Sequence, residues 1–181
     1  MYKIRLHGRG GQGIKLAAHI LGRAAFLSGY QVQSFAVYGA ERRGAPLTSF
    51  VRMDKREILE RDYIFDPDFV ICIDDTLDLN KVKEGLSKDG FILINTNKYP
   101  GHFSFIKQKI YTTDATKIAL DTIGLPIPNT AILGAFVKIF KKIPIETLKK
   151  AVEKELKNEG KETLVEKNNK AVDVCYNKMR L

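Results

Sequence analysis

Two short runs carry most of the chemistry that this chain of 181 residues could do. The first is His7-Gly8-Arg9-Gly10-Gly11-Gln12-Gly13, whose glycines at Gly8, Gly10 and Gly13 fit the spacing G-x-G-x-x-G. Absent side chains let the backbone turn tightly and bring amide groups close to a phosphate where a helix opens. Gly8, Gly10, Gly11, Gln12 and Gly13 are therefore candidate anion-binding residues; a tight strand-to-helix turn that binds nothing has the same appearance. The second run is Tyr38-Gly39-Ala40-Glu41-Arg42-Arg43-Gly44-Ala45-Pro46. Gly39, Gly44 and Pro46 break regular structure, which leaves Glu41, Arg42 and Arg43 on a loop. Arginine suits two-pronged contact with phosphate or carboxylate, and a glutamate beside two of them can orient one, so the trio forms a candidate anion clamp. A solvated or subunit-facing charge cluster is the alternative.

The elements that must position these runs are legible from hydrophobic spacing. Tyr2-Lys3-Ile4-Arg5-Leu6 alternates as a strand does, and Ala17, Ile20, Leu21, Ala24 and Leu27 recur at helix spacing, so the glycines join a strand to a helix. Residues 31–37 and 47–52 form strands around the second run. Residues 69–73 and 91–94 are continuous apolar runs of the kind buried on both faces of a parallel sheet, with Cys72 as a small core residue. A short helix over 80–86, a strand over 108–112 and a helix over 115–123 follow. After Leu125-Pro126-Ile127-Pro128, Thr130 is placed to cap a helix over 131–140 that is apolar nearly all round. Pro144 opens another helix, with Ile145, Leu148, Val152 and Leu156 on one face, and Leu164, Ala171, Cys175 and Met179 continue a stripe. This alternation predicts an α/β fold: a three-layer, mostly parallel Rossmann-like sheet with helices on both faces and a helical C-terminal extension. Residues 1–143 form the α/β domain with the glycine-rich run, and helices in 144–181 pack on it. Loops leaving the carboxyl ends of neighbouring parallel strands lie side by side, so the arginine run should face the glycine run. Lys3, Arg5 and His7 alternate on the first strand, which predicts that one of its faces is partly open or functional.

Several function classes are disfavoured. A dinucleotide fold wants a carboxylate about 20 residues past the glycines; residues 31–37 carry none, and the next acid is Glu41. In a nucleotide-hydrolysing loop a lysine must follow the last glycine, and Ile14 stands there, with Lys15 one residue late. The formal charge of +9 is concentrated late: residues 138–181 hold 12 Lys or Arg against 7 Asp or Glu. Those lysines alternate with glutamates at helical spacings, the pattern of a solvated face braced by near-neighbour ion pairs. A nucleic-acid surface pairs its charge with arginines and stacking aromatics, whereas only Tyr176 is aromatic after Phe140. Lys15, His19 and Arg23 share a helix face, which either extends the anion site or faces solvent. His7, His19 and His102 lack zinc spacing. Asp74 and Asp75 end a strand, where either a functional or a capping role is open to them. Neither a signal-peptide core nor an apolar span of ~20 residues is present, so a soluble cytoplasmic chain is expected.

Taken together, G-R-G-G-Q-G near the amino terminus and Y-G-A-E-R-R-G-A-P leading into Leu47-Thr48-Ser49-Phe50-Val51-Arg52 resemble the gamma subunit of 2-oxoacid:ferredoxin oxidoreductases, most closely the pyruvate type. The resemblance continues through residues 64–71, 90–95 and 129–135, nearly the whole chain. It implies a subunit of a complex that decarboxylates a 2-oxoacid with thiamine diphosphate and magnesium, passes electrons through iron-sulfur clusters to ferredoxin, and transfers the acyl group to coenzyme A, or runs in reverse. The implied partners are thiamine-binding alpha and beta subunits, a ferredoxin-like iron-sulfur subunit, ferredoxin and coenzyme A, with no nucleic acid and no membrane. Gly8, Gly10, Gly11, Gln12, Gly13, Glu41, Arg42 and Arg43 would border the coenzyme A side. Cys72 and Cys175 are too few for a four-iron cluster, so no cofactor is expected on this chain alone, nor any catalytic residue, metal ligand or activity in isolation. A free-standing nucleotide-binding oxidoreductase and a basic nucleic-acid-associated module are the competing readings.

Overall fold

Alternating apolar residues make Tyr2–Arg9 a strand, β1, with Ile4 and Leu6 fully buried on one face. The computed structural model of the chain describes residues 1–37 and 44–181. After β1 come α1 (Ile14–Leu27), β2 (Gln31–Ala36), β3 (Pro46–Asp54), β4 (Phe69–Cys72), α2 (Leu79–Val82), β5 (Phe91–Asn95), β6 (Lys109–Thr113), α3 (Ala115–Ile123), α4 (Ala131–Phe140), α5 (Ile145–Asn158) and α6 (Val165–Lys178). The strands form one sheet in the order β2-β3-β1-β4-β5-β6. β1, β4, β5 and β6 are mutually parallel, while β3 runs antiparallel to both β1 and β2. The sheet is thus mostly parallel with one reversed strand. β3 inserts between β1 and β2, which separates the two strands whose carboxyl ends carry the glycine and arginine runs.

The two faces are covered unequally. The larger core joins Ile4, Leu6, Val51, Ile71 and Leu93 to α1 and α3 through α6. The smaller core, built on Val70, Cys72, Ile92 and Ile94, is closed by the four residues of α2 and by the segment around Phe103 and Ile106. The helix expected over 80–86 stops at Val82. Gly85 ends it at a φ of 74°, and a Cβ there would lie 1.9 Å from the carbonyl oxygen of Phe65.

α4 is buried on nearly every side because it lies between the sheet and α6. Phe136 and Phe140 pack on Phe69, while Gly134 meets Val172, whose carbonyl oxygen would be 2.2 Å from a Cβ on the glycine. The pairs Thr130–Asn168, Gly134–Val172 and Lys138–Tyr176 advance four residues at a time on each helix, so α4 and α6 run parallel. Thr130 does not cap α4 as expected. Its backbone is already helical (φ −83°, ψ −42°), and its hydroxyl bonds Asn168 at 2.6 Å instead. Leu27 also departs from its predicted place, standing 51% exposed at the last turn of α1. The lysine-rich helices show the near-neighbour pairing read from their spacing, with Lys157–Glu153 at 2.6 Å and Lys149–Glu146 at 3.0 Å. Among the described residues no helix is long and apolar enough to cross a membrane.

The charged face of β1 is closed by hydrogen bonds. Lys3 pairs with Asp66 at 2.9 Å. Buried Arg5 donates from Nη2 to the carbonyls of Val82 (2.9 Å) and Glu84 (2.6 Å), from Nη1 to that of Ile64 (3.4 Å), and from Nε to His7 Nε2 (2.8 Å). Because arginine only donates, His7 is neutral with its proton on Nδ1, facing the Thr48 hydroxyl at 3.3 Å. Burial, reinforced by the Arg5 charge, pushes the imidazole down to about 3.

The sign of the resulting pH effect follows from linkage. The unfolded histidine takes a proton near 6.5 and the folded one only near 3, so the unfolded state binds more protons in that window and stability falls as pH falls. From pH 6.5 to 4.5 the contribution of His7 is about 2 kcal/mol. In His7→Gln the side-chain oxygen still accepts from Arg5 and the titration is gone. Urea unfolding at the two pH values should show the parent chain losing about 2 kcal/mol more than the variant. Equal losses would contradict a neutral His7.

Candidate functional site

The parallel strands β1, β4, β5 and β6 all deliver their carboxyl ends to one edge. From β1 the chain turns to β2 and β3 on one side, while β4 lies on the other, so the crevice between the ends of β1 and β4 is the topological switch point of the sheet. Two glycines of the turn pack closely on their neighbours. A Cβ at Gly8 would lie 2.2 Å from Ile14 Cδ1, so a larger residue there would push the Ile14 side chain aside. Gly13, the N-cap of α1, has φ 73°, and a Cβ there would lie 2.3 Å from Asn129 Nδ2.

Gln12 folds back over the turn it belongs to. Its Oε1 accepts from the Arg9 amide at 2.7 Å, and its Nε2 donates to Asp74 Oδ2 at 2.7 Å across the crevice. Gly10 is joined to the far end of the arginine run in both directions: its amide donates to the Ala45 carbonyl at 2.9 Å, and the Gly44 amide donates back to its carbonyl at 3.1 Å. Glu41, Arg42 and Arg43 lie outside the described residues. Their neighbour Gly44 is held at the glycine turn by this seam and by Arg9, whose Nη1 donates to the Gly44 carbonyl at 3.1 Å.

Asp74 was legible as a strand-end residue and carries more than a local cap. Its Oδ1 accepts from the amide (2.9 Å) and hydroxyl (2.6 Å) of Thr76, and its Oδ2 from Gln12 and from Arg9 Nε (3.2 Å). Partial burial raises its pKa, but the bonds from Thr76 and Gln12 and the charge of Arg9 outweigh that and hold it below the ordinary carboxylate range. Beyond it opens a cleft of about 320 Å³ lined by Gln12, Asp74, Asp75, Asn95, Thr96 and Asp114 among others. Asp75 accepts from the Thr96 hydroxyl at 2.7 Å and pairs with Lys98 at 3.2 Å. Asn95, which the sequence did not single out, donates to the Ile73 carbonyl and to Thr116 Oγ1, both at 2.8 Å, and ties β4 to the first turn of α3. Three of the residues lining this cleft are aspartates, which makes it a poor site for a phosphate.

The other candidates lie apart from this rim. Arg23 pairs with Glu155 of α5 and His19 faces solvent, so these two members of the helix stripe do not extend the site. Cys72 and Cys175 are buried on different elements. Burial drives the Cys72 thiol up to about 12 and raises that of Cys175, so neither is a thiolate.

Fold and rim define an α/β chain with a glycine turn at its switch point and Gly44–Ala45 bonded beside it. The family model of pyruvate ferredoxin/flavodoxin oxidoreductase matches residues 3–178. Pyruvate synthase subunit PorC of Methanocaldococcus jannaschii is 49% identical over 180 residues, 99% of this chain and 97% of that one. The common gamma subunit of the pyruvate/ketoisovalerate oxidoreductases of Pyrococcus abyssi is 42% identical over 186 residues, 100% and 98% of the two chains. The crystal structure of pyruvate oxidoreductase subunit PORC from Thermotoga maritima superposes with a TM-score of 0.85 at 37% identity, over 99% of this chain and 97% of that one. The chain belongs to the pyruvate ferredoxin/flavodoxin oxidoreductase family, among its gamma subunits, and is therefore one part of a multisubunit oxidoreductase.

Proposed function

We propose that this gamma subunit lends its carboxyl-edge rim to the coenzyme A side of a pyruvate:ferredoxin oxidoreductase. In this reading Gly8, Gly10, Gly11, Gln12 and Gly13 shape the turn, and Glu41, Arg42 and Arg43 present the charge that grips the phosphates of coenzyme A. The observation that carries it is the two-way seam between Gly10 and Gly44–Ala45, which anchors the end of the arginine run against the glycine turn at the switch point. Guanidinium groups beside a turn at a helix start fit a pyrophosphate.

The chemistry of the acyl group belongs to partner chains. No residue of this rim is placed as a nucleophile, and the two buried, protonated cysteines do not fit an iron-sulfur cluster. Thiamine diphosphate with magnesium sits on alpha and beta subunits, and the clusters sit on a ferredoxin-like subunit that passes electrons to ferredoxin. What this chain does is bind and orient coenzyme A for acetyl transfer, or acetyl-coenzyme A for the reverse synthesis. The Pyrococcus relative is by name common to a pyruvate and a ketoisovalerate enzyme. That supports placing the choice of oxoacid on other subunits.

Purification of the tagged chain from its native cell, with companions identified by mass, tests this assignment. A thiamine-binding subunit and a cysteine-rich ferredoxin-like subunit should be recovered in stoichiometric amounts. Recovery of the chain alone would contradict it.

A further inference from the structure

We propose that Asp74 is the positioning residue of the rim: one carboxylate that fixes the glycine turn and the end of the arginine run against each other. The proposal rests on the coenzyme A reading above. A carboxylate beside a phosphate site opposes binding unless its charge is committed elsewhere, and here four donors commit it. Gln12 Nε2 and Arg9 Nε share Oδ2, and the amide and hydroxyl of Thr76 share Oδ1. Arg9 extends the same unit, since its Nη1 reaches the Gly44 carbonyl and its Nη2 the Thr76 hydroxyl at 2.9 Å. The exits of β1 and β4 and the residues entering β3 are therefore joined through the Asp74–Arg9 pair, Asp74 holding Arg9 and Gln12 while Arg9 reaches Gly44.

The donor pattern makes the charge, rather than the shape, of Asp74 decisive. In Asp74→Asn an amide group replaces one oxygen. If it faces Gln12 and Arg9 it opposes two donors, and if the amide is turned over it opposes the Thr76 amide. Flipping Gln12 does not relieve this, because the Arg9 amide would then face Nε2 in place of Oε1. Adding Gln12→Glu relieves the larger part of it. The glutamate Oε1 keeps the Arg9 amide, its Oε2 accepts from the new asparagine, and the lost negative charge returns beside Arg9, whose Nε alone still faces the asparagine amide.

The test uses the assembled enzyme for kinetics and the full-length chain for hydrogen exchange. Asp74→Asn should raise the KM for coenzyme A roughly tenfold while the KM for the 2-oxoacid stays within about twofold. Exchange at the amides of Gly10 and Gly44, which form the seam, should quicken by a similar factor. Gln12→Glu with Asp74→Asn should bring both readouts back toward the parent. Unchanged seam exchange, or a double variant no better than Asp74→Asn, overturns the proposal. Quicker exchange that the double variant repairs, with an unmoved coenzyme A KM, keeps the positioning role and sinks the coenzyme A reading beneath it.

Discussion

Arg5→Met should lower the stability of the chain by about 3–5 kcal/mol, the cost of removing one partner from a buried charged network. Arg5 is 7% exposed, and its guanidinium supplies donors to the carbonyls of Val82 and Glu84 and, at longer range, of Ile64. Methionine fills a similar volume and supplies none, so the buried carbonyls of Val82 and Ile64 lose roughly 1–3 kcal/mol of satisfaction each, while that of Glu84 turns to water. The loss falls on the thinly covered face of the sheet, where α2 has only four residues and the long segment between β3 and β4 is held by such bonds. Arg5→Lys should recover part of the loss, since an ammonium reaches some of these oxygens without the planar fork that reaches all of them. Urea unfolding at neutral pH measures both variants, and a loss below about 1 kcal/mol for Arg5→Met would show that the carbonyls find other donors.

Where burial follows from local sequence, the elements were legible. Residues 115–123 and 131–140 form helices at the bounds read from their spacing, and the apolar runs at 69–73 and 91–94 are the buried strands β4 and β5, each ending within a residue of the reading. Strand direction was not legible, because alternation in residues 47–52 is the same whether β3 runs up or down. Lys3, Arg5 and His7 read as an open face because their partners, such as Asp66, Ile64 and Thr48, lie 41 to 63 positions away. Thr130 has the residue type of a cap, but a cap needs extended backbone to reach the next amides and Thr130 is already helical.

At the rim, the glycine turn was legible from residue type, since Gly11 and Gly13 take the positive φ that glycine adopts most freely. Asp74 could be flagged as a strand end. Its bond to Gln12, 62 residues earlier, had no local signal. Nor did Asn129, whose side chain lies where a Cβ on Gly13 would stand. The full-length family match displaces the readings of a free-standing nucleotide enzyme and a nucleic-acid module, which composition alone had left open.

The claim that the rim serves coenzyme A makes its strongest demand on Arg42 and Arg43. Removing one side of a desolvated charge contact costs on the order of 2–5 kcal/mol, so in the assembled enzyme Arg42→Ala with Arg43→Ala should raise the KM for coenzyme A roughly 30-fold or more. The 2-oxoacid KM and the yield of complex should stay near those of the parent, because the pair is proposed to touch neither the oxoacid pocket nor a subunit seam. Steady-state kinetics with coenzyme A varied at saturating 2-oxoacid is the direct measurement. A coenzyme A KM unchanged by the double substitution, or a loss confined to complex yield, would contradict the account.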